Sequence, residues 1–410
     1  LSRVDFPVAL LGHAFMGRAH STAYRHVQQH FQTQLRPELR MIAGRNAKTL
    51  RADAAQLGWA EWTTDWREAI AHPDVQLVDV STPGNVHPEQ VIAAARLGKH
   101  IVCEKPLANS LREARTMLAA VRKAGVRHLV MHNYRRIPAV ALARKIIDEG
   151  RLGRIFHFRA FYQQDWIVDP GFPLVWRLRK DQAGSGALGD IGSHIIDFAR
   201  YLVGEIEAVW GHLTTFIAER PLPEELDAIK AKTGEKSRRR AVGGTTAARR
   251  ASAPRTRRPR RGKVTVDDAA LFVARFANGA VGSFEATRFA TGQKNHHGFE
   301  IYGERGSILF QFDAMNELLY LDARDSKSLQ GFRRIPVTEA VHPYMTHWWP
   351  SGHLIGYEHT FANTLADFLD AIAEDRPVMP DFEEGVKNQA VLHAVELSAR
   401  NGRWTQVPRI

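Results

Sequence analysis

Cysteine is nearly absent: Cys103 is the single thiol in 410 residues, which excludes an intrachain disulfide and any set of thiolates for a structural zinc ion. Long apolar runs are absent too. None approaches the roughly 20 residues of a membrane-crossing helix, and the opening LSRVDFPVALLGHAFMG has neither the basic start nor the cleavage site of a signal peptide. A cytoplasmic protein with no membrane partner is the expectation. Acids are missing from one stretch. Between Lys230 and Lys263 fourteen Lys or Arg face the lone Glu235, so this segment accounts for more than the whole net charge of +12. Large apolar residues are scarce there as well, so it cannot bury enough surface to offset the entropy of ordering. It reads as a basic, flexible insertion at about 221–263. Aromatics that would interleave with bases are lacking, and a nucleic-acid partner is not expected.

What the chain does hold is 44% apolar residues, enough for two domains with their own cores; the spacing divides them at 1–131 and 132–410. In the first, short apolar runs beginning at Val8, Leu39, Leu77, His100 and His128 alternate with helical patterns. That alternation predicts an α/β unit with a doubly wound parallel sheet, a Rossmann arrangement. After Gly153 the pattern changes to alternating strands, with an Asn278–Gly279 hairpin signal. Helices are expected from Asp190 to about Val203, over Tyr357–Ala373 and over Glu383–Arg400. This second unit reads as an α+β domain on an open, mostly antiparallel sheet.

Several short motifs sit at the expected strand ends. Gly12, Ala14 and Gly17 occupy the three positions of a G-x-G-x-x-G turn, with Phe15 and Met16 between the last two; such a turn lets a helix N-terminus meet a pyrophosphate. The second strand ends in Arg45 and Asn46 without the acid that would bond an adenosine ribose, which suits NADP over NAD. Ser81, Thr82, Pro83, Asn85 and His87 follow the third apolar run, and Glu104 and Lys105 the fourth. Both segments face the crevice where open α/β sheets bind ligands. Asp190 and His194 are four apart on an expected helix and share one face, a placement suited to proton transfer. The spacing of His342, His347, His353 and His359 fits no metal signature, and no metal is expected.

Taken together, GHAFMGRAH, STPGNVH, CEKP and GALGDIGSH resemble the Gfo/Idh/MocA oxidoreductases in order and spacing. The resemblance covers nearly the whole chain outside the basic insertion. It implies a dehydrogenase using NAD or NADP, with Lys105, Asp190 and His194 as the catalytic group. His194 would take the hydroxyl proton, Lys105 polarise that oxygen and Asp190 fix the imidazole, with Lys105 as the alternative base. NYRR at Asn133, YQQDW at Tyr162 and VWR at Val175 resemble the sugar-oxidising members. These imply oxidation of a ring hydroxyl, at C3, of a sugar, anhydrosugar or glycoside. Asn133, Tyr134, Arg135, Gln164, Asp165, Trp166 and Arg177 would then join Lys105, Asp190 and His194 in a sugar pocket, roofed by the His/Trp-rich loop 342–359. A homodimer or homotetramer is implied as well. The competing readings are an inositol or cyclitol dehydrogenase and a non-catalytic dinucleotide-binding regulator.

Overall fold

The computed structural model describes residues 3–224 and 259–410. Its first third alternates β1 (Val4–Leu11), α1 (Phe15–His30), β2 (Leu35–Ala43), α2 (Ala47–Leu57), β3 (Glu61–Thr63), α3 (Trp66–Ala71), β4 (Leu77–Val80), α4 (His87–Arg96), β5 (His100–Cys103), α5 (Leu111–Ala124) and β6 (His128–Val130). The strands are all parallel, in the order β3-β2-β1-β4-β5-β6. Helices cover both faces, so β4 is buried at every position and reads as a continuous apolar run broken only by Asp79. The winding direction reverses between β1 and β4, and there the sheet opens a crevice at its carboxyl edge. The register sets Leu11 opposite Val80, so Gly12 and Ser81 leave the sheet side by side. The short strand β3, with two of its three residues exposed, has no apolar run to announce it.

The chain continues with α6 (Pro138–Asp148), β7 (Ile155–Gln163), the one-turn α7 (Lys180–Ala183) and α8 (Ser193–Leu202). Then come β8 (Ile206–Thr214), β9 (Glu219–Pro221), β10 (Arg261–Lys263), β11 (Ala269–Phe276), β12 (Val281–Thr287), β13 (His296–Gly303), β14 (Gly306–Gln311), β15 (Glu317–Asp322) and β16 (Arg333–Pro336). Helices α9 (Tyr357–Ala373) and α10 (Phe382–Asn401) and a two-residue strand β17 (Thr405–Gln406) close it. Nine strands form one sheet, β16-β15-β14-β13-β7-β12-β11-β8-β17, in which β7 with β12 is the single parallel pair. Asn278–Gly279 turns β11 into β12, with Gly279 at φ 85° as a tight hairpin requires. One face of this sheet buries Phe158, Phe272, Phe284 and Phe299 under Ile195, Ile196 and Phe198 of α8. Strands β9 and β10 pair with each other and tie the ends of the basic insertion together. Its residues 225–258 lie outside the described residues, and so does most of the expectation made for it.

The two closing helices do not belong to the second sheet alone. Phe361, Leu365, Phe368 and Leu369 of α9 join the core formed by β1 and α1. On α10, Phe382, Val386 and Ala390 pack with α4 and α5 while Val391, Leu392 and Val395 pack with the nine-stranded sheet. Buried on two sides, α10 still carries the polar Glu384, Asn388 and Gln389 inward beside its apolar residues.

The His/Trp-rich loop corrects an expectation. It packs on α1 instead of roofing a pocket: His347 stacks on Phe31 at 4.4 Å, and Trp348 meets His26, His30 and Phe31. Trp348 also donates to Asn363 Oδ1 at 3.0 Å. Burial of Trp348 against α1 seats the loop there, while His347 stays exposed. Among the described residues no group of three or more His, Cys, Asp or Glu is arranged to hold a metal ion, and no helix is long and apolar enough to cross a membrane.

Candidate active site

Gly12 leaves β1 at φ 109°, and a Cβ there would stand 2.9 Å from the carbonyl and hydroxyl oxygens of Ser81. A Cβ on Gly17 would strike the Gly12 carbonyl. Ser81 Oγ ties the two loops together, donating to the Leu11 carbonyl at 3.0 Å. Ala14 is the N-cap of α1 but offers no side-chain acceptor, and no acid stands in the first turn. The opening N–H groups of α1 are therefore left for an outside anion. Phe15 is exposed and stacks on Tyr357 at 6.2 Å, and Met16 is half-buried.

Among the other residues expected at the dinucleotide, Asn46, Thr82 and His87 have partners within the chain. Asn46 caps α2, accepting from Lys48 N and Thr49 N at 3.1 and 3.2 Å, while Arg45 is exposed. Thr82 donates to Gln90 Oε1 at 2.6 Å. His87 is buried, with its ring nitrogens 2.8 and 3.1 Å from the carbonyls of Thr82 and Leu107, so it braces the loop from behind. Pro83 is half-buried and Asn85 exposed on that loop.

Glu104 faces the core, not the crevice. Its carboxylate accepts from His20 Nε2 at 3.0 Å and from the Lys105 backbone N–H at 3.0 Å. His20, fully buried on α1, is bonded at Nδ1 to Asp79 at 2.9 Å, and Tyr24 donates to the same carboxylate at 2.8 Å. Burial pushes the His20 imidazole down, but Asp79 and Glu104 outweigh it and raise it to about 10. Glu104, pushed up by burial, is brought below the ordinary carboxylate range mainly by its bond to His20. No motif announces this network; its only sequence trace is that His20, Tyr24 and Val27 repeat on one face of α1.

Lys105 emerges from this base. Its ammonium donates to the Asp190 carbonyl at 2.8 Å and stands 3.4 Å from Asp190 Oδ1. Asp190 lies on a single π-helical turn, Leu188–Gly192, leading into α8; such turns are enriched at functional sites. Asp267 builds the entry to that turn, accepting from Gly186 N and Leu188 N at 2.7 Å each. The second Asp190 oxygen accepts from Arg288 Nη2 at 2.7 Å. The expected bond from Asp190 to the His194 imidazole is therefore replaced, because two cations claim the carboxylate. Partial burial pushes the Asp190 carboxyl up, yet Lys105, Arg288 and Arg177 hold it well below the usual range.

His194 is buried, with the Tyr134 ring 4.6 Å away and His132 edge-on at 6.1 Å. Burial, reinforced by Lys105, His132 and His297, keeps its imidazole well below 6.5, so it is neutral. Tyr162 donates to Asn295 Oδ1 at 2.8 Å, Gln164 donates to the same oxygen at 2.9 Å, and Trp166 donates to Gln164 Oε1 at 2.9 Å. Tyr134 and Tyr162 share a hydroxyl contact of 3.2 Å. Asp165 is taken by Lys294 at 2.7 Å, and Arg177 lies over the Trp176 ring.

Two expected sugar contacts are corrected. Arg135 is 3% exposed and bonded to Asp197 and Glu384, and Asn133 is 2% exposed and donates to Thr360 at 2.7 Å. Arg135 ties α10 to α8, and Asn133 ties its own turn to α9. Asn295 and Arg288 were missed. Arg288 had a signal: it continues the inward alternation Phe284, Ala286 of β12, where a charge is out of place.

With this geometry in hand, comparison with known proteins is informative. Residues 6–132 match an oxidoreductase family with an NAD-binding Rossmann fold, and residues 140–309 match the GFO/IDH/MocA C-terminal domain. The levoglucosan dehydrogenase of Pseudarthrobacter phenanthrenivorans is 44% identical over 98% of both chains. The chain belongs to the Gfo/Idh/MocA family. Two solved structures resemble this Gfo/Idh/MocA chain throughout. An oxidoreductase domain protein from Kribbella flavida is 48% identical at a TM-score of 0.89, covering 99% of this chain and 100% of its own. A levoglucosan dehydrogenase in complex with NADH and levoglucosan is 42% identical at the same TM-score and coverage. A dinucleotide fits this member of the family. Gly12 and Gly17 clear the space a Cβ would fill, and α1 offers its free N–H groups toward it.

Proposed function

We propose that this chain oxidises a ring hydroxyl, at C3, of a sugar, anhydrosugar or glycoside. One observation carries the reading: Lys105, just past β5, bonds to Asp190 and its charge reaches the buried His194, in a chain 44% identical to a levoglucosan dehydrogenase. NAD is the proposed cofactor, since the related structure holds NADH; NADP has only the exposed Arg45 in its favour. When bound, the nicotinamide supplies the hydride acceptor.

The chain's own residues handle the proton. The substrate hydroxyl donates to neutral His194, which takes the proton as the C–H hydride departs. Lys105 places an ammonium hydrogen on the same oxygen and favours its ionised form. Asp190 anchors Lys105 through its carbonyl and carboxylate. Tyr134, Gln164, Asp165, Trp166 and Arg177, with Asn295, form the sugar side, where Trp166 offers an aromatic platform and the others polar groups. The nine-stranded sheet exposes Trp210, Leu271, Val273 and Val281 on its outer face, and a second copy of the chain would cover it in a homodimer or homotetramer. The lone buried thiol Cys103 suits a reducing cytoplasm.

The test is reduction of NAD or NADP with glucose, levoglucosan, aryl glucosides and inositols, for wild type and Lys105→Ala. Formation of a 3-keto product, lost by a factor of about 10² or more in the variant, is expected. A protein that binds no dinucleotide and oxidises no sugar would sink the reading, and oxidation of inositols alone would move it to the cyclitols.

A further inference from the structure

Two buried arginines of this protein are held by several acceptors each, and the buried Arg220 leaves only its Nε without one among the described residues. Arg135 reaches Asp197 through Nε and Nη2 and Glu384 through Nη2, and Arg200 is held by Glu205, Glu384 and a backbone carbonyl. Arg288 is treated differently. It is 1% exposed, and among the described residues its single hydrogen bond goes to Asp190 while its Nε and Nη1 are buried without an acceptor. Its guanidinium lies 5.3 Å from the Trp166 ring. Donors left unpaired inside a protein are destabilising, so such a residue is a poor device for stability alone. Departures from hydrogen-bond satisfaction concentrate at functional sites.

The carboxylate it holds is shared. Asp190 has one oxygen on Arg288 at 2.7 Å and the other 3.4 Å from the Lys105 ammonium, which makes its short bond to the Asp190 carbonyl instead. A carboxylate released from Arg288 would turn both oxygens to the nearest remaining cation, Lys105, since a charge-assisted bond is stronger at 2.7–2.9 Å than at 3.4 Å. The ammonium hydrogens would then be occupied.

We propose that Arg288 is a positioning residue: by holding one oxygen of Asp190 it keeps that carboxylate from closing on Lys105 and leaves the ammonium free to meet the hydroxyl being oxidised. This rests on the proposed dehydrogenase reaction. The groups facing Asp190 are the cations Lys105, Arg177 and Arg288, the phenols of Tyr134, Tyr162 and Tyr357, and His194 one turn on. Removing Arg288 takes away a bonded cation, so the Asp190 carboxyl moves up toward its ordinary range.

The test compares Arg288→Gln with Arg288→Lys in the whole protein. Two quantities are measured: kcat and KM for the sugar found active, and the titration of the Asp190 carboxyl carbon by 13C NMR, assigned with Asp190→Asn. In Arg288→Gln we expect kcat to fall by about tenfold or more with KM changed by less than about threefold, and Asp190 to titrate about one pH unit higher. Arg288→Lys should recover most of both. Wild-type kcat and an unmoved Asp190 titration in a folded Arg288→Gln overturn the proposal. So does a chain that folds with neither Gln nor Lys, because the residue is then structural. If wild type oxidises no sugar, the proposed function fails, while the Asp190 titration still decides whether Arg288 governs that carboxylate.

Discussion

His20 and His194 are both buried imidazoles, and they differ in charge. His20 sits between Asp79 and Glu104 and is held protonated up to about pH 10. His194 has no carboxylate bonded to it and faces the Lys105 ammonium, so burial keeps it neutral. Burial alone disfavours the charged form of either ring. The difference lies in partners brought from β4 and β5 in the first case and withheld in the second, where Asp190 is claimed by Arg288. One histidine is thereby a structural cation and the other an available acceptor.

The contrast is broken most severely at His194. His194→Asn should lower kcat by about 10² or more while the protein stays folded, as steady-state kinetics beside circular dichroism would show; an unchanged rate would make His194 as structural as His20. Next comes His20→Gln, which leaves Asp79 and Glu104 buried without their cation. Breaking a buried pair in this way costs about 3–5 kcal/mol, and urea unfolding is the measurement. A loss below about 1 kcal/mol would mean that the two carboxylates find other partners.

The pH dependence sharpens the same point. The folded-state value for His20 lies above the ordinary 6.5, so its stabilisation is fully present below pH 6.5 and is lost as pH rises through about 10. The gap in unfolding free energy between wild type and His20→Gln should therefore narrow over that window. Urea melts across it would settle the matter, and a constant gap would refute the charged state. Smallest of all is the expected response at His194. As a neutral group it should give kcat/KM less than about a twofold change between about pH 6 and 7.5, and a limb near 6.5 would show that it titrates normally.

Much of the fold was legible because its signals are local. Apolar runs located five of the six parallel strands, the Asn278–Gly279 turn located a hairpin, and the expected Tyr357–Ala373 helix matches α9. Of the motif residues, Gly12 lies beside Ser81 and Lys105 bonds to Asp190, since strand-end placement is itself a local property. The errors involve partners remote in sequence. Arg135 looked like a free polar fork until Asp197 and Glu384, 62 and 249 residues away, took it. Asp190 and His194 share a helical spacing, but a bond between them was prevented by Arg288, 98 residues on. The histidines of loop 342–359 suggested a pocket because their neighbours on α1 could not be seen from spacing.

Helices α9 and α10 are made last in the chain, yet Phe361, Leu365, Phe382 and Val386 complete cores laid down by the first 130 residues. On the ribosome the parallel sheet has α1 to α5 to cover it, but part of its apolar flank stays open until residues 357–401 emerge. Folding domain by domain from the N-terminus, the usual course for long chains, therefore leaves the cores of this first third incomplete until those two helices have been made.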